Sequence, residues 1–191
     1  ETVIIDISSV SGGGATENGA QQETITITND DSAPTLTLAS SSSSVDENGS
    51  AITLTGTLSN PTYQTVTVSI SASGTATLNT DYTLSATSFT IAAEGTTGSV
   101  TATPTNDNTF EGDETIIIDV SSVSGGSATE SGTQQVTITL KEDDAGPELS
   151  INDVTTSDES AANATFTITT SSISASNMTV DYATSNGTAT A

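Results

Sequence analysis

Along most of the chain, aliphatic residues recur at every second position with Thr or Ser between them. Leu36 and Leu38 open one run, Ile52, Leu54 and Leu58 form the next, and Val66, Val68 and Ile70 follow. Phe89 with Ile91, Val100 with Ala102, Ile116 with Ile118 and Val120, and Val136 with Ile138 and Leu140 make four more. A period of two sends the aliphatic side chains to one face of an extended strand and the hydroxyls to the other. Each run therefore predicts a strand with one buried and one wet face, and β-branched Thr suits the wet one. Gly and Asn punctuate the runs at Asn48-Gly49, Asn60-Pro61, Gly95, Gly112 and Gly125-Gly126, where turns are expected. No helical period extends beyond about two turns. Seven or so short strands in ~110 residues predict an all-β fold of Greek-key, immunoglobulin-like sandwiches.

The pattern repeats. Residues Glu1 to Leu38 and Glu114 to Ile151 align without gaps and are identical at 24 of 38 positions, a period of 113 residues. Weaker echoes link Val45-Asp46-Glu47 to Ser157-Asp158-Glu159, and Gly74-Thr75-Ala76-Thr77 to Gly187-Thr188-Ala189-Thr190. The expected organisation is residues 1–32 as the end of one repeat, 33–144 as a complete repeat and 145–191 as the start of a third. The joints fall near Asp30 to Pro34 and Asp143 to Pro147. Both termini lie inside repeats, so the sequence is expected to be a window on a longer protein, and the missing signal peptide says little. The alternative is that neighbouring chains complete the broken repeats by strand donation. Against it, the partial repeats lack a counterpart of roughly Asn79 to Asp113.

Charge sharpens this picture. There are 24 Asp and Glu against 1 Lys or Arg, a formal charge of −23. Such a surface repels nucleic acid and anionic membranes and attracts cations. His, Cys and Trp are all absent, which excludes zinc sites, thiol chemistry, disulfides and histidine-based triads. No apolar run approaches a membrane span of about 18 residues. Paired carboxylates can run a glycosidase, but the aromatics of the complete repeat, Tyr63, Tyr82, Phe89 and Phe110, read as core or turn residues instead of a sugar platform. The chain is not expected to be an enzyme. Sequons at Asn48, Asn163, Asn177 and Asn186 read as products of a Ser/Thr-rich composition, the Asp31-Ser32-Ala33 triplet is a weak match to a short O-glycosylation motif, and the serine run Ser40 to Ser44 reads as a polar strand entry and not a modified site. Lys141 is the only base and its counterpart is Thr28, so a repeated isopeptide is not expected.

The acids of the complete repeat cluster at strand ends. They are Asp46-Glu47, Asp81, the run from Asp107 through Glu111 to Asp113-Glu114, and Glu142-Asp143-Asp144. Carboxylates gathered at one pole repel unless a hard cation binds, and calcium accepts six to eight oxygens in flexible geometry. Val45-x-Glu47 with Gly49, Gly74-Thr75-Ala76, Asp81-Tyr82, Asn106-Asp107 followed by Glu111-x-x-Glu114, and Asp143-Asp144, in this order, resemble the Calx-β domain. The resemblance implies Ca2+ at one end of the sandwich, held by Glu47, Asp81, Asp107, Glu111, Glu114, Asp143 and Asp144 with the Thr109 carbonyl. Asn106 departs from the family, which often has an acid there. In the first partial repeat the counterparts are Glu1, Asp30 and Asp31, and in the third only Glu159 is matched.

These features lead to the expectation of an extracellular structural repeat, a stalk or spacer of a large bacterial surface adhesin, rigidified by calcium at its joints. Its expected partners are neighbouring repeats of the same chain and other surface or filament proteins, with no nucleic acid and no membrane insertion. The alternatives are a regulatory calcium sensor and a module that grips a carbohydrate or protein. The second lacks the aromatics and Arg that anchor interfaces.

Overall fold

A computed structural model describes residues 1–158, 160, 163–185, 187 and 188. Two compact units divide at Ala33/Pro34. The first is a hairpin in which β1 (Thr2–Asp6) pairs antiparallel with β2 (Gln22–Thr26).

The second unit holds the complete repeat. Its elements are β3 (Thr35–Ser40), β4 (Ser44–Asp46), β5 (Ile52–Leu58), β6 (Val66–Gly74), β7 (Tyr82–Leu84), β8 (Ser88–Ile91), β9 (Thr97–Pro104), β10 (Thr109–Phe110), β11 (Glu114–Ser124), β12 (Thr129–Glu130) and β13 (Gln135–Lys141). Two five-stranded sheets form, ordered β4-β13-β11-β6-β8 and β12-β3-β5-β9-β7. The neighbours β6–β11 and β5–β9 are far apart in sequence, the crossovers of a Greek key. Seven of these strands are the seven aliphatic runs. Their inward residues, among them Leu36, Leu54, Val66, Val68, Ile118 and Leu140, are fully buried in one core between the sheets. The third piece begins with β14 (Leu149–Ile151), β15 (Ile168–Thr170) and β16 (Ile173–Ser174), with β14 and β15 paired antiparallel.

The short segments β4, β7, β10 and β12 are additions to the expected seven. β4 lies parallel to β13 and β12 parallel to β3, each closing a sheet edge. The serine run is the crossover from one sheet to the other, since Ser40 ends β3 and Ser44 begins β4. Small hydroxyl residues satisfy the backbone there. Ser41 donates its N–H to Thr53 O at 2.9 Å, Ser42 Oγ donates to Ser44 O at 2.7 Å, and Ser43 O accepts from Thr139 N at 2.9 Å. No helix is present among the described residues, and none is long and apolar enough to cross a membrane.

Candidate metal centre

Strand parity aims two carboxylates at the end of the core. On β11, Ile116, Ile118 and Val120 are buried, so Glu114 is next in the same inward row. On β13, Ile138 and Leu140 are buried, and Glu142 continues that row just past the strand. Tight turns bring the others to the same end. Glu47 follows β4, where its N–H extends the β4–β13 pairing to Lys141 O at 3.1 Å. The turn closes with Gly49 N to Asp46 O at 2.8 Å. A Cβ on Gly49 would stand 2.6 Å from Val45 Cγ2, which is why the motif needs glycine there. Asp81 is buried in the turn before β7, where its carboxylate accepts Thr77 N–H at 2.6 Å and its carbonyl accepts Thr105 N–H at 2.9 Å. Asp107 accepts Thr109 N–H at 2.6 Å in an Asx turn.

Three groups result, the first two sharing Glu47, each with carboxylate oxygens within 4.8 Å of one another: Glu47, Glu142 and Asp143; Glu47, Asp107 and Asp144; Asp81, Glu111 and Glu114. All seven acids expected at the centre of the complete repeat are therefore drawn together. Thr109 is half-buried in β10 between Asp107 and Glu111. Glu1, Asp30 and Asp31 lie in the hairpin unit, exposed, and belong to none of the three groups. The backbone N–H of Asp31 donates to Asn29 Oδ1 at 3.3 Å, and the Glu1 amino group donates to Ile27 O at 3.0 Å. Glu159 lies outside the described residues.

Glu142 is the member that the family-based ligand set leaves out. Its Oε2 accepts the N–H groups of Glu111 and Gly112, the latter at 2.8 Å, and its Oε1 accepts Asp144 N–H at 2.8 Å. One carboxylate thus ties the 107–112 loop to the end of β13. The signal for it was the parity of Ile138, Leu140 and Glu142.

The electrostatics are those of an uncompensated acidic pocket. Burial first, then Glu142, Glu111, Asp107 and Asp143, push the Glu47 carboxyl up to about 7. Burial, then Asp81 and Glu111, push Glu114 up to about 7. Glu111 and Asp144 are raised by burial and then by their acidic neighbours. Glu142 alone moves down: burial acts to raise it, but backbone N–H groups of Glu111, Asp144, Gly112 and Asp143 outweigh that. Glu114 Oε2 and Asp144 Oδ2 are buried without a hydrogen-bond partner. Two orphaned oxygens among eight converging carboxylates, with no nitrogen or sulfur donor, fit a hard divalent cation.

No curated protein matches the chain. Among solved structures, CBD12 from CALX1.2 aligns with a TM-score of 0.52 at 18% identity, over 62% of this chain and 48% of that one. The alignment thus spans about half of that relative, and at this identity it speaks to the fold alone. The apo-form Calx CBD1 domain aligns at 0.47 and 19% identity, over 58% of this chain and 99% of that one. A two-domain protein with unknown function from Bacteroides fragilis aligns at 0.44 and 8% identity, over 63% and 54%. The Calx-beta domain model matches residues 29–144 and again 142–191, most of the sequence, and the chain belongs to the Calx-beta domain family.

Proposed function

We propose that the chain is a non-catalytic spacer segment of a large bacterial cell-surface protein, in which calcium at the joint between repeats converts flexible domains into a stiff rod. One observation carries this reading. β10, set between Asp107 and Glu111, pairs in parallel with β16 of the following repeat, Thr109 opposite Ile173 and Phe110 opposite Ser174. Ala175 N–H donates to Phe110 O at 3.1 Å, and Ser172 Oγ donates to Ala145 O at 2.9 Å. The loop that supplies two candidate ligands is thus also the loop that grips the next domain. Glu47, Asp81, Asp107, Glu111, Glu114, Asp143 and Asp144 would hold the ion, with Glu142 fixing the loop and the Thr109 carbonyl as a neutral donor. Calcium supplies the positive charge that lets these carboxylates stay ionised together. Repeats in series favour length and geometry over sensing, and a surface rich in Thr and Ser favours a passive stalk over a gripping module.

The test is a thermal melt and small-angle scattering of the full chain, dilute, with calcium and with chelator. The expected result is a higher melting midpoint and a longer, less flexible particle with calcium. A raised midpoint with unchanged scattering would remove the joint-locking role while keeping the site. No change in either would leave the acids as a solvated surface.

A further inference from the structure

One turn at the acidic end sets an amide against a carboxylate. Asp46-Glu47-Asn48-Gly49 is closed by Gly49 N–H to Asp46 O at 2.8 Å, and Asn48 is exposed to water. Asn48 Nδ2 donates to Asp143 Oδ2. Asp143 in turn groups with Glu47 and Glu142. Asn48 is therefore a neutral donor at the rim of the acids.

Packing dictates the residue that follows it. A Cβ on Gly49 would stand 2.6 Å from Val45 Cγ2 and 2.7 Å from Asp46 O, so glycine alone fits. With no side chain beside it, a glycine nitrogen is the least hindered the backbone offers. The fold thus places next to Asn48 the neighbour that shields its amide least, and asparagine is a thermolabile residue.

We propose that Asn48-Gly49 is a self-modifying site, at which the Asn48 amide is converted to a carboxylate that faces Asp143. Gly49 N gives its proton to water and attacks Asn48 Cγ. The new C–N bond closes a succinimide ring as Cγ–Nδ2 breaks and ammonia leaves. Water then opens the ring. Breaking Gly49 N from Cγ leaves an aspartate at position 48. Breaking it from the main-chain carbonyl carbon leaves an isoaspartate, with the chain running through the side chain. The sum is water in and ammonia out, with no change of oxidation state.

In the closed turn both reacting groups are held, the nitrogen on Asp46 O and the amide on Asp143. The reaction therefore runs from the opened turn, at a rate set by how often it opens. Its product replaces a donor with a charge. Two carboxylates then meet where an amide met one, which repels in the absence of a cation and offers a cation a further oxygen. That last consequence rests on the calcium reading, and the conversion does not.

The experiment ages the full chain at mildly alkaline pH, in chelator and in calcium, with residue-level mass spectrometry and ammonia release as readouts. Asn79, Asn106 and Asn108, followed by Thr, Asp and Thr, are controls within the same repeat. Conversion at Asn48 is expected to outrun all three, to give both aspartate and isoaspartate, and to be slower in calcium. Asn48 no more converted than the controls would overturn the inference. Equal conversion in calcium and in chelator would leave it standing and count against calcium at this turn. Asn48→Asp and Asn48→Ala separate the charge of the product from loss of the tether to Asp143. In chelator at low salt, Asn48→Asp is expected to melt below Asn48→Ala. A midpoint at or above that of Asn48→Ala would overturn the placement of the new carboxylate against the acids.

Discussion

The hairpin Glu1–Ala33 and the β11–β13 hairpin are one motif in two surroundings. Strand register is the same in both. So are the caps. Gln22 Nε2 donates to Asp6 Oδ1 at 2.9 Å, as Gln135 Nε2 does to Asp119 Oδ1 at 2.6 Å. Gln21 N–H donates to Glu17 Oε1 as Gln134 N–H does to Glu130 Oε1. Left-handed backbone falls at Gly12, Gly13 and Gly19 and again at Gly125, Gly126 and Gly132. Burial is what differs: β1 is exposed throughout, while β11 alternates buried with half-buried. Turn residues and cross-strand caps therefore define the hairpin's shape locally, and its stability comes from the sheet across the core.

Matched substitutions separate these two contributions, and the largest difference is expected in the core. Ile118→Ala removes a fully buried side chain and should destabilise the repeat by about 2–5 kcal/mol. Ile5→Ala, at the equivalent place in the exposed hairpin, should leave the unfolding transition of the repeat within about 0.5 kcal/mol of its starting value. Urea titration followed by circular dichroism on dilute protein measures both. Equal losses would mean that the two hairpins share one core.

The acidic ends should differ nearly as much. Glu114 and Glu47 have folded-state pKa values near 7 against an ordinary 4.5. Below 4.5 both are protonated whether the chain is folded or not. Between 4.5 and about 7 the unfolded chain gives up protons that the folded one keeps, so metal-free stability should fall as pH rises through that window. Glu142 runs the other way, since its pKa is lowered and its contribution is lost only as pH falls through that lowered value. Calcium at about 100 times its Kd should add about 2.7 kcal/mol and offset the decline. Glu114→Gln should raise the melting midpoint in chelator and shrink the calcium gain, whereas Glu1→Gln, its counterpart in the hairpin, should change neither. Melts at pH 5 and 7.5, with chelator and with calcium, decide it. A metal-free midpoint that rises with pH would mean the acids do not share one pocket.

The same contrast shows what the sequence could disclose. Strands built from three or more alternating aliphatics, such as Ile116-x-Ile118-x-Val120, announce themselves because burial on one face requires that period. β4, β7 and β12 have two or three residues each, too few for any period, and exist because a neighbouring strand offers an edge. The convergence of Glu47, Asp81 and Glu111 follows from crossovers between sheets, so it needed the family pattern to be anticipated. Glu142 was legible from parity alone, but its neighbours Asp143 and Asp144 match the family motif and drew the ligand assignment. The β10–β16 pairing joins two repeats and has no local signature.

The smallest expected effects lie in the shared turn. Gly126 has φ 54°, and a Cβ there would stand 2.5 Å from Thr62 Cγ2, while Gly13, with φ 60°, has nothing within 4 Å. Gly126→Ala thus meets both backbone strain and a packed neighbour and should cost about 1–3 kcal/mol. Gly13→Ala meets strain alone in a segment that the core does not depend on, and the repeat's transition should not move. One residue on, the two copies differ naturally: Gly14 has φ 70° and Ser127 φ 56°. Serine pays the left-handed penalty there, so Ser127→Gly should relieve it, less the extra entropy of a glycine in the unfolded chain, for a net gain of at most about 1 kcal/mol. Differential scanning calorimetry of the three variants reads all of these. A loss on Ser127→Gly would show that the serine side chain holds the turn, and that the two hairpins are not built alike at this position.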